Sequence, residues 1–326
     1  MNEQRPPRRT VPRRTDLAPD LRSGHHRKGT PAREGQTLPG ATPWVRYANL
    51  VRLPHTIFAL PFALLGVVYA SWITPVSGRQ LALVVVAFTA ARFAAMGFNR
   101  IVDRHYDAAN PRTRGREIPA GAMSVPRAAA AVAVAAAVFV GTAALLNPLC
   151  LLLSGPALAW ILVYSYTKRF TNWSHLWLGA SLAMAPAGGY LAITGTWSTP
   201  AWMLPLLGAA VLTWVAGFDM FYALQDEAFD REHDLRSAVV LLGARRSILV
   251  AKVLHGITVG ILVLFGIVAG FGPVYLVGIG VAAGILVWEH QLVRADDLSR
   301  LDAAFFTMNG VMSLIVLAGA LGDRLL

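Results

Sequence analysis

Long apolar segments separated by short polar connections dominate the chain from about residue 56 to residue 321. Each segment is close to the ~20 residues that an α-helix needs to cross the hydrocarbon core of a bilayer. Several contain Gly and Pro, which are more frequent in membrane helices than in soluble ones. Nine such segments are predicted, at about 56–73, 81–99, 128–146, 149–166, 175–193, 201–221, 248–269, 272–289 and 303–321. The pattern therefore predicts an all-α integral membrane protein with nine transmembrane helices.

The connections between these segments alternate in positive charge. One set of connections carries only Arg79, followed by Arg324 at the C-terminus. The other set is rich in basic residues: Arg100, Arg104, Arg112, Arg114, Arg116, Arg127, Lys168, Arg169, Arg231, Arg236, Arg245, Arg246, Lys252, Arg294 and Arg300. Basic loops stay in the cytoplasm, so the N-terminus is predicted inside the cell membrane and the C-terminus outside.

Composition supports a membrane protein and sets one segment apart. The 326 residues are 55% hydrophobic and only 14% charged, with a mean hydropathy of +0.51, whereas soluble domains carry roughly 25% charged residues. The net charge is +11, and nine of the 29 Lys and Arg fall within residues 1–43. The lone Cys150 excludes an intramolecular disulfide and is predicted to be a packing residue.

Residues 1–43 are rich in Arg and Pro and poor in large apolar side chains. Such a segment cannot bury enough surface to fold, so it is predicted to be a disordered cytoplasmic tail before a membrane domain at 44–326. The alternative is an electrostatic tether to anionic lipid. Nucleic-acid binding is not predicted, because no aromatic residues are interleaved with the basic ones.

Two of the apolar segments end in oxygen-bearing side chains at helical spacing. The second segment ends in Asn99, Asp103 and Asp107, spaced i, i+4 and i+8. The sixth ends in Asp219, Tyr222, Asp226 and Asp230, which also share one helical face. Both ends fall on the predicted cytoplasmic side, so the two acidic faces could meet in space.

Several carboxylates within a few ångströms cannot all stay ionised without cations. Mg²⁺ binds oxygen ligands, commonly one or two carboxylates, and completes its shell with water and substrate phosphates. The pattern therefore predicts a diphosphate held by Mg²⁺ at the membrane face, with Asn99, Asp103, Asp107, Asp226 and Asp230 as metal ligands. The alternative is ordinary solvated charge at the ends of cytoplasmic helices.

Two charged residues lie within the apolar runs themselves. Asp219 sits between apolar residues below the predicted water line, where an acid is costly and usually functional. Arg92 lies two turns before Asn99, on the same helical face. Both residues require a polar cavity, and a cationic wall suits a diphosphate.

A further group of polar residues flanks the first and fourth segments. Tyr164 and Lys168, spaced i and i+4, close the fourth segment together with Arg169, and Arg52 precedes the first. On these residues alone, an aromatic belt followed by topology-setting charge is the favoured interpretation.

The chain resembles the UbiA superfamily of intramembrane aromatic prenyltransferases over about residues 45–322. The motifs that carry the resemblance are Arg92, Asn99-x3-Asp103-x3-Asp107, Asn110-Pro-Arg-Thr113, Arg116-Glu-Ile-Pro119, Tyr164-Ser-Tyr-Thr-Lys168-Arg169, and Asp219 followed by Tyr222-Ala-Leu-Gln-Asp226-x3-Asp230. The resemblance implies nine helices around a central cavity. It also implies Mg²⁺ ions that bridge a diphosphate to both acidic motifs, and contact between Lys168 and that diphosphate.

Within the superfamily, Phe98-Asn99-Arg-Ile-Val-Asp103 and Asn110-Pro-Arg-Thr113 resemble the 4-hydroxybenzoate polyprenyltransferase branch. They are also similar to menaquinone-pathway enzymes that act on a futalosine-type aromatic acid. The run His233-Asp234-Leu-Arg236-Ser237 departs from the family pattern, which favours Gly at the position of Asp234.

The predicted function is Mg²⁺-dependent transfer of a polyprenyl group from polyprenyl diphosphate to an aromatic acid resembling 4-hydroxybenzoate, in ubiquinone or menaquinone biosynthesis. Catalytic roles are expected for Asp103, Asp107, Asp226, Asp230 and Lys168. Substrate contacts are expected for Arg52, Arg92, Tyr164, Arg169, Asp219 and Tyr222.

Three other classes of protein fit the sequence less well. A transporter would carry charges near the bilayer midplane in paired halves. A phosphatidyltransferase of the CDP-alcohol type would carry an Asp-Gly-x2-Ala-Arg run, which this sequence lacks. A purely structural membrane protein has no use for two matched acidic faces.

Overall fold

The computed structural model describes residues 38–40, 42–295, 298, 301 and 307–326. Most of the basic segment at 1–43 lies outside this range, so its predicted disorder stays a prediction. Thirteen α-helices, numbered α1 to α13 in chain order, form the described part of the chain. Their bounds are α1 Pro43–Leu50, α2 Leu60–Ser71, α3 Gly78–Val102, α4 Arg104–Ala109, α5 Val125–Leu146, α6 Pro148–Val163, α7 Ser174–Thr194, α8 Met203–Ala223, α9 Glu227–Glu232, α10 Ala238–Leu242, α11 Ala244–Ala269, α12 Pro273–Leu292 and α13 Asn309–Leu325.

Seven of these elements are long and apolar enough to cross a membrane. They are α3, α5, α7, α8, α11, α12 and α6 with the 3-10 helix Tyr164–Arg169 that continues it. Large apolar side chains such as Leu152, Val277 and Trp288 remain exposed on their outer faces, as expected for helices that face lipid tails. The protein is therefore an all-helical, multi-pass membrane protein.

The first and ninth predicted segments form shorter helices than the sequence indicated. The first divides into a 3-10 helix at Leu53–Phe58 and the 12-residue α2. Pro61 occupies the first turn of α2, where the missing N–H of proline is tolerated. The last helix, α13, has 17 residues, and residues 302–306 before it lie outside the described range. The count of nine spans and the orientation of the termini stay predictions.

The spacing predicted that each acidic motif lies on one continuous helix, but the helix is interrupted in both motifs. The long helix α3 ends at Val102, and Asp103 is its C-cap. Helix α8 ends at Ala223, and α9 begins only after Asp226. The backbone N–H of Asp107 still donates to the carbonyl of Asp103 at 2.8 Å. Asp103 and Asp107 therefore remain one helical turn apart, although the sequence pattern did not reveal that α3 ends between Asn99 and Asp107.

Close helix contacts in the interior depend on small residues. Helix α2 packs against α7, α7 against α8, and α8 against α11. A Cβ at Gly66 would lie 1.9 Å from the carbonyl oxygen of Pro186, and one at Gly189 would lie 2.0 Å from that of Ala63. Only glycine allows the α2 and α7 backbones to approach this closely, a packing mode common in membranes.

A buried polar network ties α8 to the last three helices, α11, α12 and α13. The indole of Trp214 donates to Oδ1 of Asn309 at 2.7 Å, and Nδ2 of Asn309 donates to Oε1 of Glu289 at 2.9 Å. Nδ1 of His255 lies 3.0 Å from Nε2 of His290. Nε2 of His255 lies 3.2 Å from the carbonyl oxygen of Trp214. Because a carbonyl only accepts, this nitrogen carries the proton and the network has a defined direction.

Candidate active site

The site is built at the end of the bundle where α3 meets α4 and α8 meets α9. The four predicted acids at this end each pair with a different basic side chain. The pairs are Arg169–Asp103, Arg116–Asp107, Arg112–Asp226 and Lys168–Asp230. The structure therefore brings both acidic motifs together with Lys168 and Arg169. It also adds Arg112 and Arg116, to which sequence reasoning assigned no role.

The pair between Arg112 and Asp226 joins the first half of the chain to the second. Nε and Nη2 of Arg112 donate to the two carboxylate oxygens of Asp226 at 2.9 and 2.5 Å. Nδ2 of Asn110 donates to Oδ1 of the same carboxylate at 3.0 Å. Nη1 of Arg112 also donates to the hydroxyl of Tyr222 at 2.7 Å. Tyr222 receives a second hydrogen bond at 3.2 Å from Arg52, so two predicted substrate-binding residues are in contact.

Lys168 and Asp230 form the neighbouring contact. Nζ of Lys168 donates to Oδ2 of Asp230 at 2.8 Å. The Asp230 side chain is buried, whereas the Lys168 side chain retains 33% exposure. The carbonyl of Lys168 also accepts from the backbone N–H of Arg236 at 2.7 Å. The 3-10 helix after α6 is therefore held against the loop that follows the second acidic motif.

The first acidic motif contacts the same 3-10 helix. Nδ2 of Asn99 donates to Oδ2 of Asp103 at 2.7 Å, and Nη2 of Arg169 donates to Oδ1 at 3.1 Å. One turn later, Nη1 of Arg116 donates to Oδ1 of Asp107 at 2.6 Å. Among the described residues, Oδ2 of Asp107 is buried and has no hydrogen-bond partner.

The pKa directions at the site follow from burial and from these pairs. Burial raises the pKa of Asp103, and the neighbouring Asp107 carboxylate adds to that rise. Burial also raises the pKa of Asp230, with Lys168 opposing the rise only in part. For Asp226, burial acts in the same direction, but the Arg112 guanidinium outweighs it and the pKa lies below its ordinary value. Of these three acids, Asp226 is therefore the one most firmly held as a carboxylate.

The deeper part of the site is also polar. Oδ2 of Asp219 on α8 lies 2.6 Å from Nδ1 of the buried His175 on α7. Tyr164 lies close enough to interact electrostatically with Asp219, Asp103 and Tyr222. Arg92 makes a separate contact, in which Nη1 donates to the carbonyl of Val51 at 2.9 Å.

The five predicted metal ligands supply only oxygen donors, which suits a hard cation such as Mg²⁺. The open Oδ2 of Asp107 offers a buried carboxylate oxygen for it. In the described ranges, however, no three His, Cys, Asp or Glu side chains stand close enough to hold a metal ion. The basic partners neutralise the acids individually instead. The residues fit Mg²⁺ once the side chains of Lys168 and Arg169, each one-third exposed, make room.

His175 had no signal in the sequence, since a lone histidine at the start of an apolar helix usually packs in the core. Arg112 and Arg116 did have a signal in the sequence, because both belong to motifs that carry the resemblance to the family. Two residues of the site region have backbones in the left-handed region, Arg52 with φ 47° and Asp234 with φ 54°. That conformation explains why the family pattern favours Gly at position 234, and aspartate is among the few residues that tolerate it.

The fold and the site define a multi-pass membrane protein with a buried, charge-balanced site at one end of its helices. Comparison with known proteins specifies this class further. The model of the UbiA prenyltransferase family matches residues 59–311. The chain therefore belongs to the UbiA prenyltransferase family and is a prenyltransferase.

Relatives and solved structures agree with this assignment. A 4-hydroxybenzoate octaprenyltransferase of Azotobacter vinelandii is 32% identical over 282 residues, covering 85% of this chain and 93% of the relative. A UbiA homolog from Aeropyrum pernix K1 superposes with a TM-score of 0.76 and 33% identity, covering 83% of this chain and 98% of that structure. A UbiA homolog from Archaeoglobus fulgidus, described as bound to GPP and Mg²⁺, shares the fold with a TM-score of 0.65 at 22% identity. The match covers 86% of this chain and 100% of that structure.

Proposed function

We propose that this protein transfers a polyprenyl group from polyprenyl diphosphate to a ring carbon of an aromatic acid resembling 4-hydroxybenzoate, in respiratory quinone biosynthesis. The observation that carries the proposal is the meeting of two acidic motifs with four basic side chains at one end of the bundle. Such a site can accept and neutralise a diphosphate. The relatives named for 4-hydroxybenzoate prenylation support the choice of acceptor.

Lys168 and Arg169 are the residues that we assign to the diphosphate. Each already contacts one acidic motif, at Asp230 and Asp103, so both stand between the two motifs. Negative charge grows on the diphosphate as the allylic C–O bond breaks with its electron pair. Hydrogen-bond donors placed there in advance stabilise that charge more in the transition state than in the ground state.

The metal assignment is part of the same proposal. Asn99, Asp103, Asp107, Asp226 and Asp230 would hold Mg²⁺, and Asp107 has an open carboxylate oxygen for it. When bound, Mg²⁺ supplies Lewis-acid neutralisation of the departing diphosphate. Arg112 keeps Asp226 ionised, which is the state that a metal ligand requires.

The aromatic acid is assigned to the deeper space around Tyr164, Asp219 and Tyr222, with Arg92 and Arg52 at its edge. There the ring carbon donates an electron pair to the prenyl carbon and then passes its proton to the released diphosphate. The apolar interior shields the allylic cation from water. The prenyl tail is too apolar for water and leaves the cavity sideways into lipid.

We further propose that nine helices span the cell membrane with the N-terminus and the site on the cytoplasmic side. The alternating basic loops support this orientation. Residues 1–43 are proposed to be a disordered tail outside the catalytic domain.

The test is prenylation by membranes that contain the protein. Membranes are incubated with a labelled polyprenyl diphosphate and a panel of aromatic acids, including 4-hydroxybenzoate and futalosine-type acceptors, with Mg²⁺ or with EDTA. We expect a covalent product with one acceptor class, lost in EDTA and in Asp103→Ala and Asp226→Ala. A transporter would move substrate without forming a covalent product, and that outcome in folded protein would refute the proposal.

A further inference from the structure

His175 lies outside the acidic motifs yet contacts one of their neighbours. It is the second residue of α7, and its ring is 1% exposed. Its Nδ1 lies 2.6 Å from Oδ2 of Asp219 on α8. The two helices pack along their lengths, so the contact crosses a rigid helix pair rather than a loop. The short distance is typical of a charge-assisted hydrogen bond.

The partner fixes the tautomer of this histidine. The Asp219 carboxylate can only accept, so Nδ1 of His175 carries the proton and donates it. The other ring nitrogen, Nε2, is buried and has no hydrogen-bond partner among the described residues. A buried polar atom without a partner costs about 1–3 kcal/mol. An apolar side chain would avoid that cost but would leave the Asp219 carboxylate without this donor, so the contact with Asp219 is what the ring supplies.

Asp219 belongs to the deeper space of the site. It precedes Tyr222 by one turn on α8 and interacts electrostatically with Tyr164 and Lys168. Its side chain keeps 14% exposure, whereas the His175 side chain keeps 1%. The acid is thus the member of the pair that can reach a substrate, and the histidine acts from behind it.

We propose that His175 is a positioning residue that fixes the Asp219 carboxylate so that it can receive a hydroxyl of the aromatic acceptor. The inference rests on the proposed function, because it names what Asp219 contacts in that reaction. With Oδ2 held by His175, the carboxylate cannot rotate, and Oδ1 keeps one direction. A misplacement of about 1 Å can lower a rate by roughly 10²-fold.

The test uses two amide side chains whose N–H groups stand in for different nitrogens of the imidazole ring. The amide N–H of His175→Asn lies near the position of Nδ1, whereas that of His175→Gln lies near the position of Nε2. His175→Leu removes both donors. We expect kcat/KM for the aromatic acid to fall about 100-fold in the Leu and Gln variants and less than about 5-fold in the Asn variant. The KM for the prenyl diphosphate should change less than about 3-fold in all three.

Thr213→Val is the matched control. Thr213 lies on the same helix as Asp219, and its hydroxyl is 2.8 Å from that of Thr258 on α11. The Val substitution removes a hydrogen bond between α8 and α11 that lies outside the proposed acceptor site. Near-normal kinetics are therefore expected. Combining His175→Leu with Asp219→Asn should add little to either single loss, because the two side chains act as one unit.

The outcomes separate the inference from the function on which it rests. If the wild-type protein prenylates no aromatic acid, the proposed function fails. If the wild type is active but the Asn variant is no better than Gln, the positioning role is refuted. Equal losses for both substrates, or losses matched by Thr213→Val, would also refute it. If the Leu variant does not fold, the comparison of Asn with Gln still decides.

Discussion

Arg112 is the residue whose replacement tests the charge balance of the site most directly. Its guanidinium makes two hydrogen bonds to Asp226 and one to Tyr222, and the side chains of Arg112 and Asp226 are only 5% and 10% exposed. Arg112→Ala leaves a buried carboxylate with Asn110 as its remaining partner. Removing one member of a buried pair costs about 3–5 kcal/mol. For a large domain that loss lowers Tm by roughly 2 °C per kcal/mol, hence by about 6–10 °C.

The same change should depend on pH in a defined direction. In the wild type the pKa of Asp226 is lowered, so its contribution to stability is present above its unfolded pKa and is lost as the pH falls through the folded value. Without Arg112, only Lys168 and Asn110 oppose the effect of burial, so the pKa of this carboxyl should rise. A protonated Asp226 is then tolerated at low pH, so the Tm deficit of Arg112→Ala should shrink as the pH falls from about 7 towards its raised pKa.

The assay is thermal unfolding in detergent, together with prenyl transfer, for Arg112→Ala, Arg112→Lys and Arg114→Ala. Arg114 is an exposed cation of the same loop and serves as the matched control. Lys keeps the charge but loses the bidentate geometry, so an intermediate result is expected. Turnover of the Ala variant should fall about 10²–10³-fold, the rate equivalent of 3–4 kcal/mol. A loss in Arg114→Ala as large as in Arg112→Ala would refute the reasoning, as would a deficit that grows at low pH.

Three further predictions concern Lys168, Asp234 and the tail. Lys168→Ala should impair use of the prenyl diphosphate far more than use of the aromatic acid, because Lys168 stands between the two acidic motifs. Steady-state kinetics measure this, with Arg245→Ala, which removes an exposed cation, as the control. Equal, minor effects in both variants would mean that Lys168 only sets membrane topology. Asp234→Gly should keep activity and hold or raise Tm, whereas Asp234→Val should lower Tm by several degrees, since a β-branched residue at φ 54° is strained; no difference between the two would contradict the strain argument. Deletion of residues 1–40 should leave turnover in detergent unchanged; a well-folded but inactive truncation would place the tail in the site.

The sequence-based prediction was strongest where it depended on local pattern. The apolar runs of about 20 residues indicated seven helices that the structure contains at nearly the predicted bounds. The spacing of Asn99, Asp103 and Asp107 survives as consecutive backbone hydrogen bonds, although α3 ends at Val102. The first predicted segment was too long, because Pro61 restarts the helix after a 3-10 turn. Hydropathy averages over a window and does not register such a break.

By itself, the sequence determined the helical class, the alternating basic loops and the helical spacing of the acids, because each of these depends on periodicity along the chain. The tertiary structure decided which charge pairs with which. Arg112 and Asp226 are 114 residues apart, and His175 and Asp219 are 44 residues apart. From the sequence we predicted that the clustered acids need cations, and Mg²⁺ was the only cation predicted to bind them. In the structure, four basic side chains balance these acids, and three of them come from distant segments, since helix packing sets those distances and local pattern does not.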